Sequence, residues 1–282
     1  YVLMGTFNVN KDNTLGLYYA YFDSDDLTQA FGGAYTDFNG LSFQDLGGHA
    51  NGMLAGIISY ALEVDVQFGK AEAQPDLADA DDLKYSGYGV YLKGGFKIPD
   101  TPLNLRASFA YGSGDNNLDD NKIDEFQACM GFDSETAIAR FVHYTQIYER
   151  TIATAALIQT LGGSGTILGA GQGGAPHRNT GIANTTYYNL GADLAATKDL
   201  TLSLDGFLLR ATKTGGWESL VDGDVSKNVG WEIDFKGSYK LAKNLTYFVE
   251  AGTFQPGSFY EDTLVEDKGN VTQVIHGLNL TF

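Results

Sequence analysis

Apolar and polar residues alternate along this chain in segments of about ten residues, the period-two rhythm of an extended strand whose faces meet different surroundings. Residues 58–70 are the clearest case. Tyr60, Leu62, Val64, Val66 and Phe68 fall on one parity; Ala61, Glu63, Asp65, Gln67 and Gly69 fall on the other. The rhythm recurs at 1–10, 14–23, 42–53, 86–97, 103–112, 184–196, 201–212, 228–240, 244–254 and 270–282. Short turns join the segments in pairs, at Lys11-Asp12-Asn13, Leu54-Ala55-Gly56, Pro99-Asp100-Thr101-Pro102, Lys198-Asp199 and Lys243-Asn244. Between the pairs run long polar stretches such as QPDLADADDLK. Proline suits such a turn because no ladder donor is needed there.

Strands near ten residues, with short and long connections sorted to opposite ends, are expected of a transmembrane barrel. A soluble sandwich would use strands nearer five or six residues and has no reason to sort its connections. The fold class expected is therefore all-β, a transmembrane antiparallel up-and-down β-barrel with about eleven strands visible. Residues 1–282 are expected to form one barrel domain with a long loop insertion at 113–182.

The chain closes on Leu278-Asn279-Leu280-Thr281-Phe282. This resembles the final strand that the barrel-assembly machinery recognises, with Phe282 as the contact. The expected location is the outer membrane of a Gram-negative bacterium, in contact with the lipid bilayer and lipopolysaccharide. An odd strand count puts Tyr1 at the long-loop end, whereas single-chain bacterial barrels usually have even counts. The expectation is that this is the C-terminal part of a larger barrel of about 16–18 strands.

Composition agrees with the pattern. Tyr and Phe contribute 17 residues each and Gly 36, against 5 Pro and 3 Met. Mean hydropathy is -0.16, and no window holds the ~18 consecutive apolar residues a spanning helix needs. A barrel escapes that test because only alternate residues face lipid. The net charge of -17, with no basic stripe, disfavours nucleic acid as a partner. A lone cysteine, Cys129, excludes an internal disulfide and any paired-cysteine motif. The start lacks a basic, then apolar, leader.

If the Leu and aromatic parity meets lipid, the other parity lines a lumen. Its charged members are Glu63, Asp65, Lys93, Arg106, Asp193, Asp205, Glu232, Asp234, Lys236 and Glu250, beside Tyr91, Asn189, Ser203 and Thr246. Arg or Lys facing lipid at mid-depth costs about 2–4 kcal/mol, so the clustering of charge on one parity is itself informative. Arg210 and His276 break the rule, and His276 brings the register of the last strand into question. Carboxylates outnumber basic residues in the lumen set. That surplus either gives a mild cation preference or is spent in cross-strand pairs that keep the wall wet. Tyr21, Tyr88, Tyr111, Tyr188, Trp231, Tyr239 and Phe282, near strand ends, suit interfacial girdles.

The insertion 113–182 breaks the rhythm. Its middle, free of Gly and Pro between Asp133 and Gly162, fits a helix or an extended hairpin, and a glycine-rich stretch follows. Such a loop either folds inward as a constriction, carrying Arg140, His143, Tyr148 and Arg150, or caps the barrel outside. His49, His143, His177 and His276 show no metal-ligand spacing. The acidic run Asp115–Glu125 lacks the glycine and twelfth-position glutamate of a calcium loop, leaving loose divalent-cation binding at acidic outer loops and no cofactor. Neither a phosphate loop nor a nucleophile elbow occurs, so catalysis is not expected.

The stretches ISYALEVDVQFGKA (58–71), NTTYYNLGADLAATKDLTLSLDGFLLRATK (184–213) and the closing LNLTF resemble the alginate-export family of outer-membrane barrels. The resemblance implies a monomeric barrel of about eighteen strands, a size within the range of single-chain bacterial barrels. That family's arginine-rich lumen is matched here only at Arg106. The leading expectation is an outer-membrane channel, a porin for passive diffusion of small hydrophilic solutes or ions. The alternatives are an exporter of an anionic exopolysaccharide and a structural or docking barrel of a surface complex.

Overall fold

The computed structural model describes residues 1–24, 38–73, 82–117, 120–126, 145–148, 182–263 and 269–281. It consists of one antiparallel sheet, a meander in which each long strand pairs with its neighbours in sequence. The strands are β1 (Val2–Asn10), β2 (Asn13–Ser24), β3 (Phe38–Leu54), β4 (Ile58–Ala73), β5 (Leu83–Lys97) and β6 (Leu103–Gly112). After a two-residue strand, β7 (Lys122–Ile123), follow β8 (Thr185–Ala195), β9 (Leu200–Ala211), β10 (Asn228–Ala242), β11 (Leu245–Pro256) and β12 (Val271–Leu280). The eleven long strands are those the alternation predicts; β7 is additional and pairs in parallel with β5. Among the described residues β1 pairs only with β2 and β12 only with β11, so the sheet is not closed.

Local chemistry explains the turns. At 55–57 the chain reverses with Ala55 and Gly56 at φ 51 and 71, and the left-handed region costs glycine least. At 197–199 the Thr197 hydroxyl accepts the Asp199 and Leu200 N–H groups at 3.2 and 3.0 Å, a side-chain mimic of a backbone turn. All five short connections lie at one end of the sheet and the long ones at the other.

The two faces differ sharply. Leu62, Val64, Val66 and Phe68 are uncovered on the outward face, as are Leu92, Leu190 and Leu208. Val64 is 41% and Leu92 48% exposed, so neither lies between stacked sheets. The inward face is polar in its middle and apolar toward the long-loop end. There Tyr187, Phe207, Leu209 and Phe254 are buried beneath two short helices, α1 (Gly215–Val221) and α2 (Ser258–Thr263). Trp217 and Phe259 bring the helices onto this patch with their rings edge to face, centroids 5.9 Å apart. A smaller patch of Leu41, Phe43, Ala71 and Tyr85 is covered by Ile123 of β7.

The alternation rule sent the Leu and aromatic sets outward, with Tyr91 the one aromatic placed inward, and this patch corrects it. Apolar residues stand on both parities where the inward face is covered by protein.

Candidate functional site: the charged inward face

Strand register fixes which side chains share a face, because residues directly opposite each other in a ladder point the same way. One row runs Arg106, Gly191, Asp205, Asp234, Gly252 across β6, β8, β9, β10 and β11. The next runs Asn104, Asp193, Ser203, Lys236, Glu250 over the same strands. Glu232 stands between Phe207 and Phe254 in a third row. Lys93 faces Ala61 and Ser108, Glu63 faces Tyr91, and Asp65 faces Gly89. All ten charged residues singled out from the alternation thus lie on one face.

Their partners divide them into three groups. Arg106 lies between two carboxylates, its Nε donating to Asp193 Oδ2 at 2.7 Å and its Nη2 to Asp205 Oδ2 at 2.9 Å. Ser203 and Asn104 add donors to Asp193 at 2.8 and 3.2 Å, and Asn189 adds one to Asp205 at 3.1 Å. The guanidinium reaches β9 by passing over β8 at Gly191. A Cβ there would collide with the Asp205 carboxylate and crowd Arg106 Nη2 at 3.2 Å, so the missing side chain opens the path. Lys236 pairs with Glu250 at 2.6 Å. Cross-strand pairing thus takes up five of the ten.

The second group holds chain rather than charge. Glu232 is 0% exposed, and its two oxygens accept the Ile147 and Tyr148 backbone N–H groups at 2.6 and 2.8 Å. Asp234 Oδ2 accepts the Gln146 N–H at 3.0 Å. Three consecutive amides of the long insertion are thereby bound to two neighbouring carboxylates of β10. Tyr148, also fully buried, packs its ring on Phe254 at 5.9 Å, its hydroxyl 3.4 Å from Thr185 Oγ1. Of the four residues expected in a constriction, Tyr148 is described and lies on the inward face; Arg140, His143 and Arg150 lie outside the described residues.

The third group is Glu63, Asp65 and Lys93. Asp65 and Glu63 accept from the Tyr18 hydroxyl, Glu63 at 3.2 Å, and Asp45 accepts from Gln67 at 2.9 Å. These three carboxylates have only neutral partners among the described residues. Sequence reasoning missed Asp45 and Tyr18. In β3 the run Gly47-Gly48 dilutes the alternation around Asp45, and Tyr18, on the parity opposite Leu17 and Tyr19, is an uncharged aromatic that gains a role only when register places it opposite Gly47, across from Asp65.

The two exceptions to parity have settled positions. Arg210 is exposed at the long-loop end of β9, in register with Thr186 and Asn228. His276 is outward, with Nδ1 3.4 Å from the Tyr247 hydroxyl and ring centroids 6.0 Å apart. The register of the last strand is therefore consistent with the alternation, and the imidazole has a polar partner on its own face. His49 points inward, its ring over Gly16; His143 and His177 lie outside the described residues. Among the described residues no three His, Cys, Asp or Glu side chains converge to hold a metal ion. Of the aromatic residues expected in girdles, Tyr88 and Tyr111 stack outside at 5.5 Å; Phe282 lies outside the described residues.

A further docked segment lies at the long-loop end. Residues 120–126 run along β5, with Phe126 against Gly89, and Asp115 accepts the Asn117 and Asp124 N–H groups at 2.9 and 3.2 Å. Burial raises the Glu125 carboxyl well above its ordinary range, helped by the nearby Asp115 charge. Burial also raises Asp115, against the two amide bonds.

No family model matches this chain, and no curated protein matches it in sequence. Solved structures similar to it include the NanC porin (TM-score 0.38, 9% identity), an alignment covering 100% of this chain and 99% of that one. The outer membrane protein OprD from Pseudomonas aeruginosa aligns at TM-score 0.46 and 13% identity, covering 98% of this chain and 59% of that one. OccK8 (OprE), also from Pseudomonas aeruginosa, gives TM-score 0.47 and 14% identity, covering 99% and 57%.

Proposed function

We propose that this sheet is the wall of a bacterial outer-membrane channel through which small hydrophilic solutes and ions diffuse passively, with a mild preference for cations. The observation that carries the reading is the segregation of the two faces. Uncovered hydrocarbon runs along one side of nearly every long strand, while all ten charged residues stand on the other. Water would charge heavily for an apolar surface of that extent, and a bilayer would not. The inward face would be the lumen wall, with the short turns toward the periplasm and the long connections outside.

The cation preference rests on Asp45, Glu63 and Asp65, the carboxylates of β3 and β4 without a basic partner among the described residues. A surplus of fixed negative charge in a narrow aqueous path concentrates cations. An anionic polysaccharide would need the opposite wall, and Arg106 is engaged by two aspartates; export of such a polymer, as in the alginate-export family, is the weaker alternative. Lipid and lipopolysaccharide would contact the outward face, and the assembly machinery the last strand, where Leu278 and Leu280 point outward.

The test is reconstitution of the full chain in planar bilayers. Discrete conductance steps are expected, with a reversal potential on the cation side of zero in a salt gradient. Glu63→Gln with Asp65→Asn should move it toward zero. A protein that inserts yet never conducts would overturn the channel in favour of a docking barrel. Liposome swelling that is faster with uronate oligomers than with neutral sugars of equal size would favour the exporter.

A further inference from the structure

We propose that Glu232 and Asp234 are positioning residues whose task is to hold residues 145–148 against the inner wall, and that this attachment sets the open cross-section of the channel. The inference rests on the channel reading.

A carboxylate that served to attract ions would face the aqueous path. Glu232 does not, since it is 0% exposed and both its oxygens are taken by backbone N–H groups at 2.6 and 2.8 Å. Burying an ionised carboxylate costs several kcal/mol unless short, charge-assisted bonds replace its water. Here they come from a segment far away in sequence, so the replacement of water also fastens that segment.

Two features make the attachment shape-specific. Gly252 faces Asp234 on the adjoining strand, and a Cβ on it would first meet Asp234 Oδ1 at 2.5 Å, then Gln146 Cβ at 3.1 Å and Ile147 Cδ1 at 3.3 Å, so it would displace both the anchor and the segment it holds. Its lack of a side chain leaves the gap into which the segment settles. Tyr148, stacked on Phe254, fills the buried patch beside it. Acid pair, gap and aromatic socket lie next to one another on β10 and β11. Chain held at that level occupies space on the inward face that would otherwise be open to solute.

The experiment compares single-channel conductance and polyethylene-glycol exclusion size for the wild type, Glu232→Ala and Gly252→Val, with heat-modifiable gel mobility confirming assembly. Glu232→Ala removes the acceptor; Gly252→Val unseats the segment without altering charge. Both should raise conductance, on the order of twofold, and admit larger polymers, because pore diameter governs both. Rescue separates positioning from a general loss of structure. In a Cys129→Ser, Glu232→Ala background, Gln146→Cys with Gly252→Cys places the two Cβ atoms 3.1 Å apart, about 0.4 Å inside the short end of disulfide Cβ spacing, a gap that a small shift of the segment closes. Oxidation should return conductance and exclusion size to the wild-type level, and reduction should raise them again. Conductance unchanged by Glu232→Ala and Gly252→Val in an assembled channel would overturn the attachment while leaving the channel standing; so would a cross-link that forms without narrowing the pore. A wild type without conductance would instead overturn the channel reading itself.

Discussion

The Arg106 arrangement shows how much one glycine decides. Its guanidinium spans from β6 to β9 only because Gly191 leaves the intervening strand bare. Gly191→Ala is expected to push Asp205 away and to cost about 1–3 kcal/mol, as overpacking at a close-fitting site usually does, measurable as a lower urea midpoint in detergent. Asp193→Asn and Asp205→Asn together should have the opposite emphasis, leaving the fold standing while the guanidinium charge is exposed to the inward face. In the channel reading the reversal potential then moves toward anions. A potential unmoved by the double change would show that the triad is insulated from the permeating path. These charges were legible from parity alone, since a strand's period of two sends Arg106, Asp193 and Asp205 one way and Leu105, Leu194 and Leu204 the other. Their pairing was not legible, because which carboxylate meets which base depends on register across three strands. Asp45 and Tyr18 escaped for a related reason: the parity signal fades beside Gly47 and Gly48, and a tyrosine reads equally well on either face.

At the scale of elements, strands and turns were readable and the docked loop segments were not. Alternation marks β4 from end to end, but α1 and α2 have too few residues for a helical period to emerge. The apolar inward patch they cover leaves only a faint trace, the run Phe207-Leu208-Leu209 with both parities apolar. The segment 120–126 offers a pH test. Glu125, and to a lesser degree Asp115, bind their protons more tightly when docked than when free. A carboxyl raised in this way contributes stability that is complete below its ordinary pKa, near 4.5, and is lost as pH rises through the shifted value. Hydrogen exchange at the Phe126 amide, corrected for intrinsic rate, should therefore be slower at pH 5 than at pH 8. Glu125→Gln should flatten the difference; a pH difference of the same size in that variant would assign the effect to another group.

Across the whole molecule, the ten successive antiparallel pairings leave β1 and β12 running in the same direction, so a direct join between them would be the only parallel seam among the long strands. The outward face carries the sharpest test of the molecule as a whole. Val64→Arg places a charge amid uncovered hydrocarbon and should cost about 2–4 kcal/mol in bilayer folding, whereas Asp65→Asn, one residue along on the other face, should cost much less. Equal penalties for the two would remove the asymmetry on which lipid contact is argued.

The outward leucines, valines and phenylalanines also govern how the chain must be handled before it reaches a bilayer. Once the ladder forms, that surface is complete, and in plain buffer only another molecule's equivalent surface can shield it. Order of addition should then decide recovery from urea: vesicles present before dilution give folded protein, and vesicles added a few minutes afterward find mostly sedimentable aggregate.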